Sequence, residues 1–288
     1  MTKDKGGVLI TGASSGIGRA CAVMLDQAGY QVFAGVRTLQ ALEELSSPAS
    51  GRLCPVILDI TDADQIRCAC RTIDLRLEGK GLAALINNAG ITLPGSMEFL
   101  SLEEFRKELE VNVVGHLAVT QAFLPWIRKT KGRIINVGSA LGKFVMPLTG
   151  AYAASKFALE ALTDALRREL LPSGIHVSLI APGSVESAIW GKIDAEVVQM
   201  EAGLPQEAIE RYGRTGQSIS NLWKKAHHRA IPPEAVASVV LKILESSRPQ
   251  PRYPIGPDAH FLSIVGRFIP DSLVDWVVDN ILKLSASG

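Results

Sequence analysis

Tyr152 and Lys156 stand four residues apart, which on a helix puts both on one face. A phenol is a poor acid near neutrality, its ordinary pKa being about 10. An ammonium one helical turn away stabilises the phenolate and should lower that value. The pair would then donate a proton to an oxygen on which negative charge develops. Ser139, after an apolar run, and Asn112, within a helical pattern, are further polar candidates.

A second set of residues suits an anion. Thr11-Gly12-Ala13-Ser14-Ser15-Gly16-Ile17-Gly18 closes an apolar run and opens a helical one. Its glycines admit positive φ and close backbone approach, and helix N-terminal amides attract phosphate. Gly12 to Gly16 also reads G-x-S-x-G, the pattern of a hydrolase nucleophile elbow. An elbow needs an upstream strand and loop, for which the eleven residues before Gly12 leave no room. The next apolar run ends Val36-Arg37, with an Arg where an acidic residue would bind ribose hydroxyls. A guanidinium there favours a 2′-phosphate, hence NADP(H), with NAD(H) possible. Asp59 is placed to accept from an adenine amino group, or else to serve as an N-cap or turn residue, since Ile60-Thr61-Asp62 follows and a helix begins there.

Short strands and longer helical patterns must position these groups. Strands are expected at Val8–Thr11, Gln31–Val36, Leu53–Leu58, Ala83–Ile86, Gly132–Val137 and His176–Ile180. Helical spacing fills the intervals, as at Gly18–Ala28, Leu102–Ile127 and Ala153–Leu171. Strands separated by helices pair in parallel through right-handed crossovers, giving an α/β doubly wound, Rossmann-like sheet. Residues about 184–230 look irregular and form an expected substrate lid. A helix then opens at Pro232-Pro233, and Arg252–Ile255 is a last short strand. The expected organisation is a catalytic domain over 1–256 and a C-terminal amphipathic helical extension over 257–288, broken at Pro270. Asp271, Asp275 and Asp279 make its polar face acidic, so membrane-surface association is not expected. Covering the lid or a subunit interface, in a homo-dimer or homo-tetramer, is its expected role.

The 288 residues balance 30 Lys+Arg against 29 Asp+Glu, so no basic surplus exists for nucleic acid. Four cysteines are too few for a disulfide framework and suit a reducing, cytoplasmic setting. The Cys68/Cys70 pair lacks zinc-ligand spacing, and no metal site is expected. No run of about 18 uncharged apolar residues could span a bilayer.

Taken with Asn87-Asn88-Ala89-Gly90 and Pro182-Gly183, these motifs stand in the order and spacing of one family. From about Val8 to Val185 the chain resembles the short-chain dehydrogenase/reductases. The resemblance implies a nicotinamide cofactor and alcohol/carbonyl redox chemistry. It implies Tyr152 as general acid/base and Lys156 as its cation and a ribose ligand. Ser139 would hold the substrate oxygen, and Asn112 would anchor a water in a proton relay. Gly12, Ser14, Ser15, Gly16, Ile17, Arg37, Asp59, Ile60, Asn88, Ala89, Gly90, Pro182, Gly183 and Val185 would line the cofactor, with Tyr152 and Lys156 reaching it too. Asn87 can instead tie strands together. His116, His176 and His260 are read as structural, and His227-His228 as a solvated face.

An apolar pocket is expected from Val185, Ile189, Trp190, Ile193, Met200, Leu204, Tyr212 and Trp223, with Leu141 and Phe144 to Met146. The segments Val32–Arg37 and Ala161–Trp190 look most like the branch of retinol and 17β-hydroxysteroid dehydrogenases and their bacterial relatives. A small-molecule apolar ketone, aldehyde or alcohol is the expected substrate. The alternatives are a non-catalytic NADP-binding sensor of the same fold, or a nucleotide-sugar epimerase or dehydratase.

Overall fold

The computed structural model describes residues 5–46, 51–186 and 205–282. Seven strands form one parallel sheet: β1 (Gly7–Ile10), β2 (Gln31–Val36), β3 (Leu53–Ile57), β4 (Leu82–Asn87), β5 (Arg133–Val137), β6 (His176–Pro182) and β7 (Arg252–Ile255), ordered β3-β2-β1-β4-β5-β6-β7. The order reverses between β1 and β4, so a crevice opens there beyond the strands' carboxyl ends. The period of two along each strand divides the core. Val8, Ile10, Ala34, Ala84, Ile86 and Ile135 face a layer holding α1 (Gly16–Gln27) and, late in the chain, the helix Pro233–Glu245. Leu9, Phe33, Leu85 and Ile134 face the other layer, built from α3 (Ala63–Leu77), α5 (His116–Thr130) and α6 (Gly150–Leu170). The short α2 (Leu39–Ser46) follows β2.

Two expectations about helices need correcting. The run from Leu102 is not one α-helix: α4 (Leu102–Leu109) passes through a π-helical stretch, Glu110–Gly115, before α5. Gly115 touches Ile60 so closely that a Cβ would lie 2.8 Å from its Cγ1, and Asn112 is held from the side. Such widened turns are frequent at functional sites. The expected irregular lid contains a long helix, α7 (Gln206–His227), in its described second part. Ala208, Tyr212, Ile219 and Trp223 repeat at spacings of four and seven, a pattern hidden by Gly213, Gly216 and interspersed charges.

After α7 come α8 (Pro233–Glu245), β7, α9 (Pro257–Phe268) and α10 (Asp271–Leu282), the last two parted at Pro270. A Cβ on Gly266 would overlap the Lys143 carbonyl, so α9 lies directly on the chain between Ser139 and Tyr152. α10 lies against α7. Among the described residues no helix is long and apolar enough to cross a membrane.

Candidate active site

The phosphate cradle forms where β1 meets α1. Gly12 and Gly16 hold positive φ of 66° and 53°, which side chains rarely adopt. A Cβ on Gly12 would also come 2.8 Å from the Ala89 backbone. Ser15, the residue before α1, makes no capping bond with its own side chain, and no acidic residue occupies the first turn of α1. The helix N-terminus therefore keeps its partial positive charge for an incoming anion. A dinucleotide's phosphates fit this cradle. Buried Thr11 fixes the cradle to β4: its Oγ1 accepts from the Asn88 and Ala89 amides at 2.9 and 3.0 Å.

Asn88 returns the favour, donating from Nδ2 to the carbonyls of Thr11 and Gly12 at 2.9 and 3.0 Å. Both its hydrogens hold the loop, so a ligand would meet its carbonyls or the chain at Ala89-Gly90. Asn87 is the inter-strand tie, donating to Thr120 Oγ1 and Asn136 Oδ1, both at 2.9 Å. Arg37 is exposed just past β2, with no ion-pair partner among the described residues. Asp59 folds Oδ1 back onto Thr61 N and Oγ1 at 2.9 and 2.7 Å, and Oδ2 has no hydrogen bond among the described residues. Asp62, not Asp59, caps α3. Ile60 is buried against Gly115, and Ile17 packs on the core beneath α1.

Gly183 and Ser184 leave β6 under the start of α9. Asp258 accepts from Ser184 N at 2.7 Å, and a Cβ on Gly183 would overlap that carboxylate. Pro182 continues β6 beside β7, and Val185 bridges to Ile231. Asp258 carries no local motif and went unread in the sequence.

The chemical groups meet at the ends of β4 and β5 and on α6. Lys156 is buried and donates from Nζ to the Val137 carbonyl at 3.1 Å. The same Nζ lies 5.5 Å from the centre of the Tyr152 ring. Ser139 accepts from Leu141 N at 3.2 Å, and its hydroxyl draws the Tyr152 pKa down. The expected net lowering of that pKa is not found. Burial outweighs the hydroxyl and pushes Tyr152 up to about 12, and the charge of Glu108 adds to the rise. Burial likewise brings Lys156 down to about 8, opposed by Glu108. An ammonium in a dry pocket is itself destabilised, which the helix spacing could not convey.

Asn112 is buried in the π turn. Its Oδ1 accepts from Ile91 N at 2.9 Å, and its Nδ2 donates to Ile91 O and Ser155 Oγ at 2.9 and 3.0 Å. The side chain has only a second Oδ1 lone pair left for a water. Glu108 and His116, one turn to either side, complete a polar stripe. Both Glu108 oxygens lie 3.4 Å from Leu93 N, and His116 Nε2 donates to Ala89 O at 2.6 Å. Burial lowers His116 to about 4, so the ring is neutral at physiological pH. Neither residue was read as part of the site; their spacing of four from Asn112 was the available signal.

Tyr212 of α7 meets Phe99 edge-on at 6.1 Å and donates to Glu98 at 2.8 Å. Met97 packs against Gly150, and Leu148 lies near Gly216. Leu141 and Phe144 to Met146 lie between Ser139 and α6 with partial or full exposure. Trp223 is half-buried. Ile189, Trp190, Ile193, Met200 and Leu204 lie outside the described residues.

Comparison with known proteins shows the family. Residues 7–197 match the family described as short chain dehydrogenase. Retinol dehydrogenase 5 of Mus musculus is 35% identical, the alignment covering 98% of this chain and 90% of that protein. The 17-beta-hydroxysteroid dehydrogenase type 6 of Bos taurus is 36% identical, covering 94% and 87%. A short-chain dehydrogenase from Burkholderia cenocepacia, solved in complex with NADP, superposes with a TM-score of 0.71 at 26% identity, covering 94% of this chain and 96% of that one. The chain belongs to the short-chain dehydrogenase/reductase family, nicotinamide-dependent oxidoreductases acting on CH–OH groups.

Proposed function

We propose that this protein interconverts a bulky apolar ketone or aldehyde and its alcohol, using NADP(H), with Tyr152 as general acid/base. The observation that carries the reading is the pairing of half-buried Tyr152 with buried Lys156, Nζ being held on the Val137 carbonyl 5.5 Å from the phenol ring. A bound nicotinamide would supply or accept the hydride. The Gly12–Ile17 loop, with Ser14 and Ser15, would hold its phosphates. Arg37 would take a 2′-phosphate, and Asp59 Oδ2 is available to the adenine. Asn88 to Gly90, and the segment Pro182, Gly183 and Val185, would wall the nicotinamide.

Tyr152 keeps its proton throughout the physiological range, because burial holds the phenol at about 12. In reduction its Oη donates that proton to the nascent alkoxide, while Ser139 Oγ donates a hydrogen bond to the same oxygen. Lys156 then offsets the negative charge left on the phenolate. Asn112 orders this floor through Ile91 and Ser155, with its free lone pair facing any relay water.

Met97, Phe99, Leu148 and Tyr212 support an apolar substrate, as do the substrates named for the two mammalian relatives. Four free cysteines support a cytoplasmic setting. Exposed Phe261, Ile264, Leu273 and Trp276 support a homo-oligomer.

A panel of ketones and aldehydes of increasing apolar size tests the reading. NADPH oxidation should become more efficient with size, and NADH should serve at least about tenfold less well, roughly 1.4 kcal/mol. Tight NADPH binding without turnover of any carbonyl would instead favour a sensor.

A further inference from the structure

Glu108, Asn112 and His116 are all buried, and they recur every four residues along α4, the π turn and α5. They bond in reverse order to Leu93, Ile91 and Ala89. Four helical residues advance about 6 Å, close to the roughly 6.6 Å between alternate residues of an extended chain. The two periods match, so one helix face clamps the whole segment behind Gly90. That segment faces the reacting pair: a Cβ on Gly90 would lie 3.2 Å from Asn112 Oδ1 and 3.9 Å from Lys156 Nζ.

Asn112 and His116 clamp as neutral groups. Glu108 does not need a charge for this purpose, yet it places a carboxyl in a fully buried position with one long backbone donor. Burying a carboxylate without a close partner is costly. α4 packs on α6, and no carboxylate of the described residues comes within 4 Å of Lys156 Nζ. Any effect of Glu108 on the pair would therefore cross the α4–α6 contact without an ion pair.

We propose that Glu108 is a positioning residue for the Tyr152–Lys156 pair, a buried counter-charge that holds both groups in their protonated forms and so biases the site toward carbonyl reduction. The inference rests on the function proposed above. Its electrostatics are consistent: negative charge at Glu108 opposes proton loss from both groups, while burial pushes Glu108 itself up to about 7. The titratable groups sharing this region are Tyr152 and Lys156 from α6 and His116 from α5, the last of them neutral above about pH 4.

The test compares the pH dependence of kcat/KM for ketone reduction in the wild type, Glu108→Gln and Glu108→Asp. In Glu108→Gln the alkaline limb should move down by about one pH unit. Glu108→Asp, which keeps the charge, should restore it. An unmoved limb, or a rate reduced equally at every pH, overturns the proposal. Thermal unfolding supplies a readout independent of turnover. A buried acid with a raised pKa stabilises the fold fully below its unfolded value of 4.5 and loses that contribution as pH rises through about 7. The Tm of Glu108→Gln should therefore gain on the wild type between pH 5 and 8.5. In a Lys156→Met background the gap should open at the same pH but keep widening to about one pH unit higher, because without the ammonium the folded carboxyl stays protonated longer. A gap that is flat with pH, or indifferent to Lys156, overturns the counter-charge. If the wild type reduces no carbonyl, the proposed function fails, while these melting curves still decide whether Glu108 and Lys156 are coupled.

Discussion

Tyr152→Phe should lower kcat for ketone reduction by about 10³-fold, roughly 4 kcal/mol of transition-state stabilisation. The Kd for NADPH should stay within about threefold of wild type, since 1 kcal/mol is about fivefold in binding. The two effects separate because the groups lie in different places. Phenylalanine keeps the ring beside Lys156 Nζ and removes only the oxygen. The phosphate cradle is built by Gly12, Thr11 and Asn88, none of which depends on that oxygen. An alkoxide forming in a dry site with no acid within reach has no comparable alternative donor, because the Ser139 hydroxyl is far less acidic than a phenol. Stopped-flow NADPH oxidation and cofactor fluorescence measure the two quantities on the same samples. Retained turnover would remove Tyr152 from the mechanism.

Arg37→Asp should weaken NADPH by about 100-fold, roughly 2.7 kcal/mol, while changing NADH by less than about threefold. A hydrogen bond to a charged phosphate contributes about 1.5–3 kcal/mol, and an aspartate at the same place adds repulsion. Arg37 is suited to this contact because it is exposed at the end of β2 and has no ion pair to give up among the described residues. The same substitution leaves ribose hydroxyls an acceptor, which is why NADH should tolerate it. Titration of both cofactors by fluorescence checks the ratio. Equal losses would show that Arg37 does not meet a 2′-phosphate.

The parallel sheet was legible in the sequence because its strands are short, apolar and β-branched, and its motifs sit at their carboxyl ends. β2 begins and ends where the pattern places it, and β6 differs only by running on through Pro182. The Gly12–Gly18 turn and the shared face of Tyr152 and Lys156 follow from local spacing alone. What escaped depends on contacts between distant segments. Asp258 reaches Ser184 across 74 residues, and nothing near either position announces it. The clamp of Glu108, Asn112 and His116 shows its period in the sequence, but its burial comes from α6 and from residues 89–93 packed over it. The direction of the Tyr152 pKa escaped for the same reason. Spacing reveals the neighbouring ammonium, whereas desolvation is a property of the closed pocket. α7 was obscured locally, its two glycines breaking a pattern that its contacts with Phe99 and Glu98 stabilise.

Under the proposed function, hydride passes between a nicotinamide and an apolar carbonyl carbon at this site. The enzyme is incubated with the best ketone of the panel and, in two separate samples, NADPH carrying a single deuterium on one or the other face of C4. In one of the two samples mass spectrometry should find one deuterium on the carbinol carbon of the alcohol and none in the NADP⁺ formed. Deuterium retained on the cofactor in both samples, with no labelled alcohol in either, would overturn the proposed chemistry.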